Sequence, residues 1–124
     1  MNIHESSEDY LETILMLCHK HGAARSVEIA AHLGVTKPSV SFAMKKLREN
    51  GYILMGDDNR ITLTETGEAI ARRVLERHNM LTSILMKLGV SEQTARADAC
   101  KIEHDLSEET FEAIRNHLMQ YASK

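Results

Sequence analysis

The segment spanning residues 26–47 constrains the fold of this 124-residue chain more strongly than any other. A short helix is predicted to end at Gly34, because glycine readily adopts the left-handed conformation that a helix-ending turn requires. A second helix is predicted to begin at Thr36 or Lys37, with Pro38 suitably placed in its first turn. Two helices joined by so short a turn predict a helix-turn-helix.

The second helix of this unit is predicted to have one apolar and one basic face. Val40, Met44 and Leu47 recur at helical spacing and are expected to be buried. The first turn and the outward positions carry the candidate DNA-binding residues Thr36, Lys37, Pro38, Ser39, Ser41, Phe42, Lys45, Lys46 and Arg48. Four of the residues from 36 to 48 are basic and none is acidic, whereas the whole chain has a formal net charge of −3. Any DNA-binding surface is therefore expected to be local.

Two short β-prone segments follow, over residues 51–55 and 60–63, with turn-forming residues between them. A hairpin directly after a recognition-type helix is typical of a winged helix, which favours this fold over a helical hairpin with solvated basic side chains. Arg60 on the wing is expected to reach the DNA backbone. Asp57 and Asp58 at the tip of the wing do not favour contact with phosphate.

The remainder of the chain is predicted to be helical. A long helix is predicted from Thr64 or Thr66 to about Leu88, because apolar residues recur there at spacings of three and four. We therefore expect a mainly α fold, with a winged helix-turn-helix over residues 1–71 and an all-helical domain over residues 72–124. A chain this short leaves apolar surface where its helices are long, so the helical domain is expected to pair with a second copy.

Cys100, Glu103 and His104 are separated by three and four residues. On a helix these three side chains project from one face. A thiol, a carboxylate and an imidazole are good ligands for a divalent transition metal, so the pattern indicates a metal site. The alternative interpretation is a solvated helix face with one buried cysteine.

Three further residues are candidates for the same site. His78 lies within the apolar stripe of the long helix, where it fits either a satisfied core histidine or a ligand. Asp9 and Glu12 lie one turn apart on the predicted first helix and outside its apolar stripe, which fits simple solvent exposure or a carboxylate pair for a metal.

The composition excludes several classes of protein. Apolar residues make up 43% and charged residues 27% of the chain. No apolar run approaches membrane-spanning length, and the N-terminus has no secretory signal pattern, so a cytoplasmic protein without a membrane partner is expected. Cys18 and Cys100 do not form a disulfide framework and are expected to be free thiols.

The order of these features resembles the metal-dependent transcriptional repressors of the diphtheria toxin repressor and manganese transport regulator type. The matching stretches are Glu-Asp-Tyr-Leu-Glu at residues 8–12, the helix-turn-helix at 29–47, Thr-Glu-Thr-Gly at 64–67, Arg77-His78 and Cys-Lys-Ile-Glu-His-Asp-Leu at 100–106. The resemblance is to the short, two-domain form without an SH3-like third domain.

The resemblance implies a metal site with the ligands Asp9, Cys100, Glu103 and His104, and a second, adjacent site that includes Glu12 and His78. The chain combines features of two groups within the family. Iron-responsive members have the cysteine but a methionine in place of Asp9, and manganese-responsive members have the aspartate but a bridging glutamate in place of Cys100. One or two Fe(II) or Mn(II) ions per subunit are therefore implied, with Co(II) or Zn(II) possible in vitro.

The implied function is a repressor that binds a palindromic operator as a homodimer when metal is bound and controls genes of metal-ion homeostasis. The candidates for base contacts are Ser39, Ser41, Phe42 and Lys45, and those for phosphate contacts are Lys37, Lys46, Arg48 and Arg60. A metal-independent winged-helix regulator that senses an organic ligand or an oxidant through Cys100 is the alternative. No enzyme is expected, because the sequence indicates neither a substrate pocket nor a general base beyond the ligands.

Overall fold

The computed structural model describes the backbone of residues 5–122 and the side chains of residues 7–120. The elements in this part of the chain are α1 (Glu5–His21), α2 (Ser26–Leu33), α3 (Lys37–Glu49), β1 (Ile53–Met55), β2 (Ile61–Leu63), α4 (Glu65–Lys87), α5 (Glu92–Ile102) and α6 (Glu108–Ala122). This order confirms the predicted mainly α fold with a winged helix-turn-helix. The chain divides into two compact units, residues 1–74 and 75–124, whose boundary lies within α4. The functional boundary after residue 71 stays a prediction.

In the first unit, α1 supplies the central apolar face. Leu11, Ile14 and Leu15 recur at helical spacing and are at most 2% exposed. They line one side of the helix because residues three and four apart share a face. α1 contacts α2, α3 and β2, so it holds the helix-turn-helix and the wing together.

The helix-turn-helix forms as predicted, and local hydrogen bonds define its turn. Gly34 caps α2 in the left-handed conformation with a φ of 67°, and its N–H donates to the carbonyl oxygen of Ala30 at 2.9 Å. Thr36 is the N-cap of α3, where its Oγ1 accepts from the N–H of Ser39 at 3.3 Å. The predicted inward face of α3 is buried, with at most 3% exposure at Val40, Met44 and Leu47.

The wing is a two-stranded antiparallel hairpin in which Met55 pairs with Ile61. Asn59 closes its turn with a φ of 63°, in the left-handed region that asparagine tolerates better than most residues. Ala24, which follows α1, forms an additional bridge to Ile61 with backbone hydrogen bonds of 2.8 and 2.9 Å. The first residue of β2, next to the turn of the wing, is therefore attached to the segment that follows α1.

The strands are shorter than the sequence predicts, since β1 begins at Ile53 rather than at Gly51. Gly51 has a φ of 79°, and the N–H of Tyr52 donates to the carbonyl oxygen of Leu47 at 2.9 Å. These two residues therefore end α3 with a glycine turn instead of extending the wing. β2 likewise begins one residue late, at Ile61.

The start of α4 is packed closely against the residues that precede the wing. Thr64, rather than Thr66, caps this helix, because its Oγ1 accepts from the N–H of Gly67 at 3.1 Å and donates to the carbonyl oxygen of Gly51 at 2.7 Å. A Cβ on Gly67 would lie only 2.0 Å from the carbonyl oxygen of Tyr52. Glycine is therefore required at this position for close approach of two backbone segments.

The second unit contains the end of α4 together with α5 and α6. Ser91 and Ser107 precede α5 and α6, and each serine Oγ accepts from a backbone N–H three residues later, at 3.4 and 3.1 Å. The buried apolar residues of this unit include Leu81, Ala95, Ala99 and Phe111. The predicted helix through His104 is wrong in its end point, because α5 stops at Ile102 and a turn follows. None of the described helices is both long and apolar enough to cross a lipid bilayer.

Candidate metal centre

Three side chains of the second unit converge at the end of α5. Cys100 lies in the last turn of the helix, and Glu103 and His104 lie in the turn that follows. Glu103 keeps helical backbone angles (φ −58°, ψ −28°), and its N–H donates to the carbonyl oxygen of Ala99 at 2.9 Å. The helical spacing therefore persists past Ile102, and one ligand atom from each of the three side chains lies within 4.8 Å of the others.

Glu103 is the most unusual residue of this cluster because it is a carboxylate with only 2% exposure. A buried charge is unfavourable unless neighbouring groups compensate for it. Its Oε2 lies 3.1 Å from Nδ1 of His78, and its Oε1 lies 3.4 Å from Nε2 of His104. The second contact lacks hydrogen-bond geometry, so Oε1 is buried without a hydrogen bond from any described residue.

His78 is therefore in contact with the cluster rather than isolated in the apolar stripe of α4. Its side chain is 14% exposed, and its backbone carbonyl accepts a hydrogen bond from Oγ1 of Thr82 at 2.8 Å. The structure thus brings four of the predicted site residues together in the second unit, namely His78, Cys100, Glu103 and His104.

Asp9 and Glu12 belong to the first unit. Both are half-buried on α1, and Thr13 beside them is buried. Their positions on one helix, one turn apart, are those expected from the sequence. Their assignment as metal ligands remains a prediction.

The chemistry of the converging groups fits a divalent transition metal. A thiolate and imidazole nitrogens favour the later or softer ions, and a carboxylate also suits Mn(II) and Fe(II). The buried Oε1 of Glu103 needs a positive partner, which a cation would supply. The donor set and the burial of this carboxylate therefore both suit a bound metal ion at the end of α5.

The second cysteine of the chain has a different environment. Cys18 is half-buried on α1, and its thiol donates to the carbonyl oxygen of Ile61 at 3.7 Å. Burial raises the pKa of Cys18, and the charge of Glu68 raises it further, although a backbone hydrogen bond from Ala24 opposes both effects. A raised pKa disfavours the thiolate, which is the form of cysteine that binds metal ions.

Arg77 contacts the turn that carries Glu103 and His104, a role that the sequence pattern does not predict. The Nη1 of Arg77 donates to the carbonyl oxygens of Glu103 and Leu106 at 3.2 and 3.3 Å. Only the contact across 26 residues of sequence reveals this role. In the sequence, the signal for this role is that Arg77 directly precedes a candidate ligand, His78.

The candidate DNA-binding residues lie in the first unit, and every one of them is exposed. Phe42 is the most prominent apolar side chain of α3, with 63% exposure. The Nζ of Lys46 lies 4.7 Å from the centre of its ring, which is a cation–π distance. α3 therefore presents an aromatic ring and basic groups to solvent.

The wing residue Arg60 is exposed but already paired. Its Nε lies 2.8 Å from Oδ2 of Asp58, and both side chains are more than half exposed. The acidic tip of the wing thus has a local partner, which the sequence did not indicate. The Nη1 of Arg48 at the end of α3 lies 3.8 Å from Sδ of Met55 on β1.

An exposed basic helix in a winged helix-turn-helix, together with a cluster of candidate metal ligands in a helical unit, is typical of DNA-binding regulators that respond to metal ions. Residues 2–58 match the family described as the iron dependent repressor, N-terminal DNA binding domain. Residues 64–123 match the iron dependent repressor, metal binding and dimerisation domain. The chain therefore belongs to the iron-dependent repressor family and is a metal-dependent transcriptional repressor.

Individual relatives agree with this assignment. The chain is 40% identical over 120 residues to a transcriptional regulator MntR of Escherichia coli O6:H1, covering 97% of this chain and 77% of the relative. It resembles the crystal structure of T. acidophilum IdeR with a TM-score of 0.82 and 25% identity, over 95% of this chain and 55% of that one. A manganese-dependent transcriptional repressor in complex with manganese gives a TM-score of 0.82 and 26% identity, over 90% of this chain and 52% of that one. The chain spans about half the length of these solved structures, and its relatives are regulators rather than enzymes.

Proposed function

We propose that this repressor binds Fe(II) or Mn(II) through four ligands, namely Asp9, Cys100, Glu103 and His104. We further propose that the metal-bound protein binds a palindromic operator as a homodimer. The observation that carries the proposal is the convergence of a thiol and two imidazoles around the buried carboxylate of Glu103. Glu12 and His78 would contribute to a second, adjacent ion, so each subunit binds one or two ions.

Asp9 gives the proposed site its regulatory effect. It lies in the unit that carries α3, whereas Cys100, Glu103 and His104 lie in the other unit. A bound dication supplies positive charge that replaces repulsion between carboxylates with coordination bonds. A ligand from each unit would make the arrangement of the units depend on metal, so metal would favour the arrangement that binds DNA. Linkage then requires that DNA tighten metal binding reciprocally.

The choice between iron and manganese rests on Cys100. Its thiolate leans toward Fe(II), Co(II) or Zn(II), while the carboxylates suit Mn(II) and Fe(II). We therefore propose Fe(II) and Mn(II) equally as the physiological effector, and we expect Co(II) and Zn(II) to bind in vitro. The manganese complex of the solved relative and the MntR relative support the manganese alternative.

The proposed DNA contacts follow from exposure and charge. Ser39, Ser41, Phe42 and Lys45 would read bases in the major groove, where Phe42 can meet a thymine methyl group. Lys37, Lys46 and Arg48 would contact phosphates, with Thr36 and Pro38 at the start of the helix beside them. Arg60 would also contact a phosphate, after its ion pair with Asp58 is replaced by one with the phosphate. Because this target is operator DNA, we propose that the protein acts in the cytoplasm and controls genes of metal-ion homeostasis.

The homodimer is supported by the second unit, which matches a dimerisation domain. Met86 and Leu88 near the end of α4 are 43% and 76% exposed, so pairing would remove apolar surface from water. A two-fold dimer reads a palindromic site when its half-site spacing matches the spacing of its recognition helices.

The test is anaerobic purification with metal analysis, followed by operator affinity with each added metal. We expect Fe(II) or Mn(II) to raise DNA affinity, and Asp9→Ala and His104→Ala to abolish that response. Asp105→Ala and His19→Ala are matched controls, since both residues are exposed. DNA binding that needs no metal and survives both ligand substitutions would contradict the proposal and favour sensing of an organic ligand or an oxidant at Cys100.

A further inference from the structure

Arg77 lies beside the candidate metal centre without belonging to its donor set. It directly precedes His78 on α4, and its side chain is only 14% exposed. Its Nη1 donates to two carbonyl oxygens, those of Glu103 and Leu106, at 3.2 and 3.3 Å. These two carbonyls bracket the turn that carries Glu103 and His104. One guanidinium group therefore holds the backbone of that turn at both of its ends.

The guanidinium group of Arg77 is itself held from two other directions. Its Nη2 donates to Oε2 of Glu108, at the start of α6, at 2.5 Å. Its centre lies 4.8 Å from the centre of the ring of Phe111, which is 3% exposed. A planar guanidinium can satisfy several acceptors in fixed directions while stacking on an aromatic ring, and a lysine ammonium cannot.

We propose that Arg77 is a positioning residue for the metal centre, an inference that rests on the proposed function. Arg77 acts on the backbone of the turn, and its neighbour His78 acts on the carboxylate of Glu103. The turn is thereby ordered before an ion arrives, so less conformational freedom is lost when the ion binds. Arg77 also interacts favourably with carbonyl groups beyond the end of α5, so it has a structural role that the test must separate from positioning.

The experiment is an anaerobic titration of the full chain with Co(II), followed by absorption spectroscopy, in the absence of DNA. We expect Arg77→Met to weaken Co(II) binding by about 10–100-fold, the usual effect of removing a group that orients a ligand. The cobalt d–d bands and the thiolate-to-cobalt charge-transfer band should also change at saturation, because the positions of Glu103 and His104 relative to Cys100 change. Arg77→Lys should show most of this loss of affinity, since lysine keeps the positive charge but lacks the planar guanidinium that donates in several fixed directions.

Arg96→Met is the matched control, because Arg96 makes an exposed ion pair with Glu92 on α5. Glu108→Gln gives a second, milder variant that weakens the anchor of Arg77 and should shift affinity in the same direction by less. It carries the test alone if Arg77→Met does not fold. Thermal unfolding of each metal-free variant reports the structural role separately.

The outcomes distinguish the two proposals. If the unmodified chain fails to bind Co(II), Fe(II) and Mn(II), both the proposed function and the role of Arg77 are wrong. If it binds metal and Arg77→Met has the same affinity and spectrum while only unfolding at a lower temperature, Arg77 is structural and the inference alone is wrong. A loss of affinity equal to that of Arg96→Met would also overturn it.

Discussion

Helix α3 and the candidate metal centre place their candidate functional side chains in opposite environments. On α3 the groups proposed to bind DNA are exposed, as Phe42 illustrates at 63%. At the end of α5 the central carboxylate, Glu103, is 2% exposed. DNA must reach the first surface from solvent, whereas an ion is bound more strongly where water is excluded and donors are already ordered. Substitutions on α3 should therefore change binding alone, while those in the metal centre should change both stability and binding.

The largest effect is expected from Glu103→Gln. The amide keeps the size of the side chain but removes the charge, so metal affinity should fall by more than the roughly 10–100-fold loss typical of a residue that only orients a ligand. The metal-free protein should be more stable than the parent, since a buried charge has been removed. Calorimetric metal titration and thermal unfolding measure the two effects.

Glu109→Gln is the control for this variant, because Glu109 is exposed on α6. An unchanged metal affinity in Glu103→Gln would show that the buried carboxylate does not bind metal, and would contradict the comparison between α3 and the end of α5.

The next largest effect is expected from Gly67→Ala, which tests the packing beneath the exposed surface of the first unit. The added Cβ would lie 2.0 Å from the carbonyl oxygen of Tyr52, so the backbones must separate. We expect a loss of about 1–3 kcal/mol in the free energy of unfolding, measured by denaturant titration. In Gly56→Ala the nearest atoms lie at an ordinary 3.7 Å, so that variant should unfold like the parent. Equal stabilities of the two variants would refute the close-packing argument.

Lys46→Ala tests the exposed surface of α3 directly. Loss of one phosphate contact should weaken binding to specific and non-specific DNA alike, and should reduce the slope of log affinity against log salt by about one. Metal affinity without DNA should stay at the parental value. Fluorescence anisotropy over a salt series measures the slope, and Lys20→Ala on α1 is the control. A normal salt slope in Lys46→Ala would place this side chain outside the DNA interface.

The smallest effect is expected from Asp58→Asn on the wing. Because the substitution releases Arg60 from its ion pair, DNA affinity should rise by about 2–5-fold, the scale of an exposed salt bridge. Asp57→Asn removes the same charge from the same tip but keeps the pair. Equal gains in the two variants would indicate general electrostatics instead of release of Arg60.

Local sequence patterns determined much of the architecture. The caps at Thr36, Ser91 and Ser107 and the turn at Gly34 depend on residues within a few positions of one another, as does the buried stripe of α3. The positions of Cys100, Glu103 and His104 on one face also follow from spacing, because the backbone stays helical past the end of α5. The assignment of these residues as metal ligands is a prediction that the titrations test.

Tertiary structure decided the features that depend on partners distant in sequence. His78 contacts Glu103, which lies 25 positions away in the sequence. Arg77 donates hydrogen bonds to the carbonyl oxygens of Glu103 and Leu106, which lie 26 and 29 positions away. The requirement for glycine at position 67 arises from the backbone of Tyr52, and the shortened β1 arises because the end of α3 uses Gly51 and Tyr52. Periodicity and caps report only which face of a segment is apolar and where it ends. The burial of one carboxylate and the partners around it depend on which segments meet, and only the packed chain determines that.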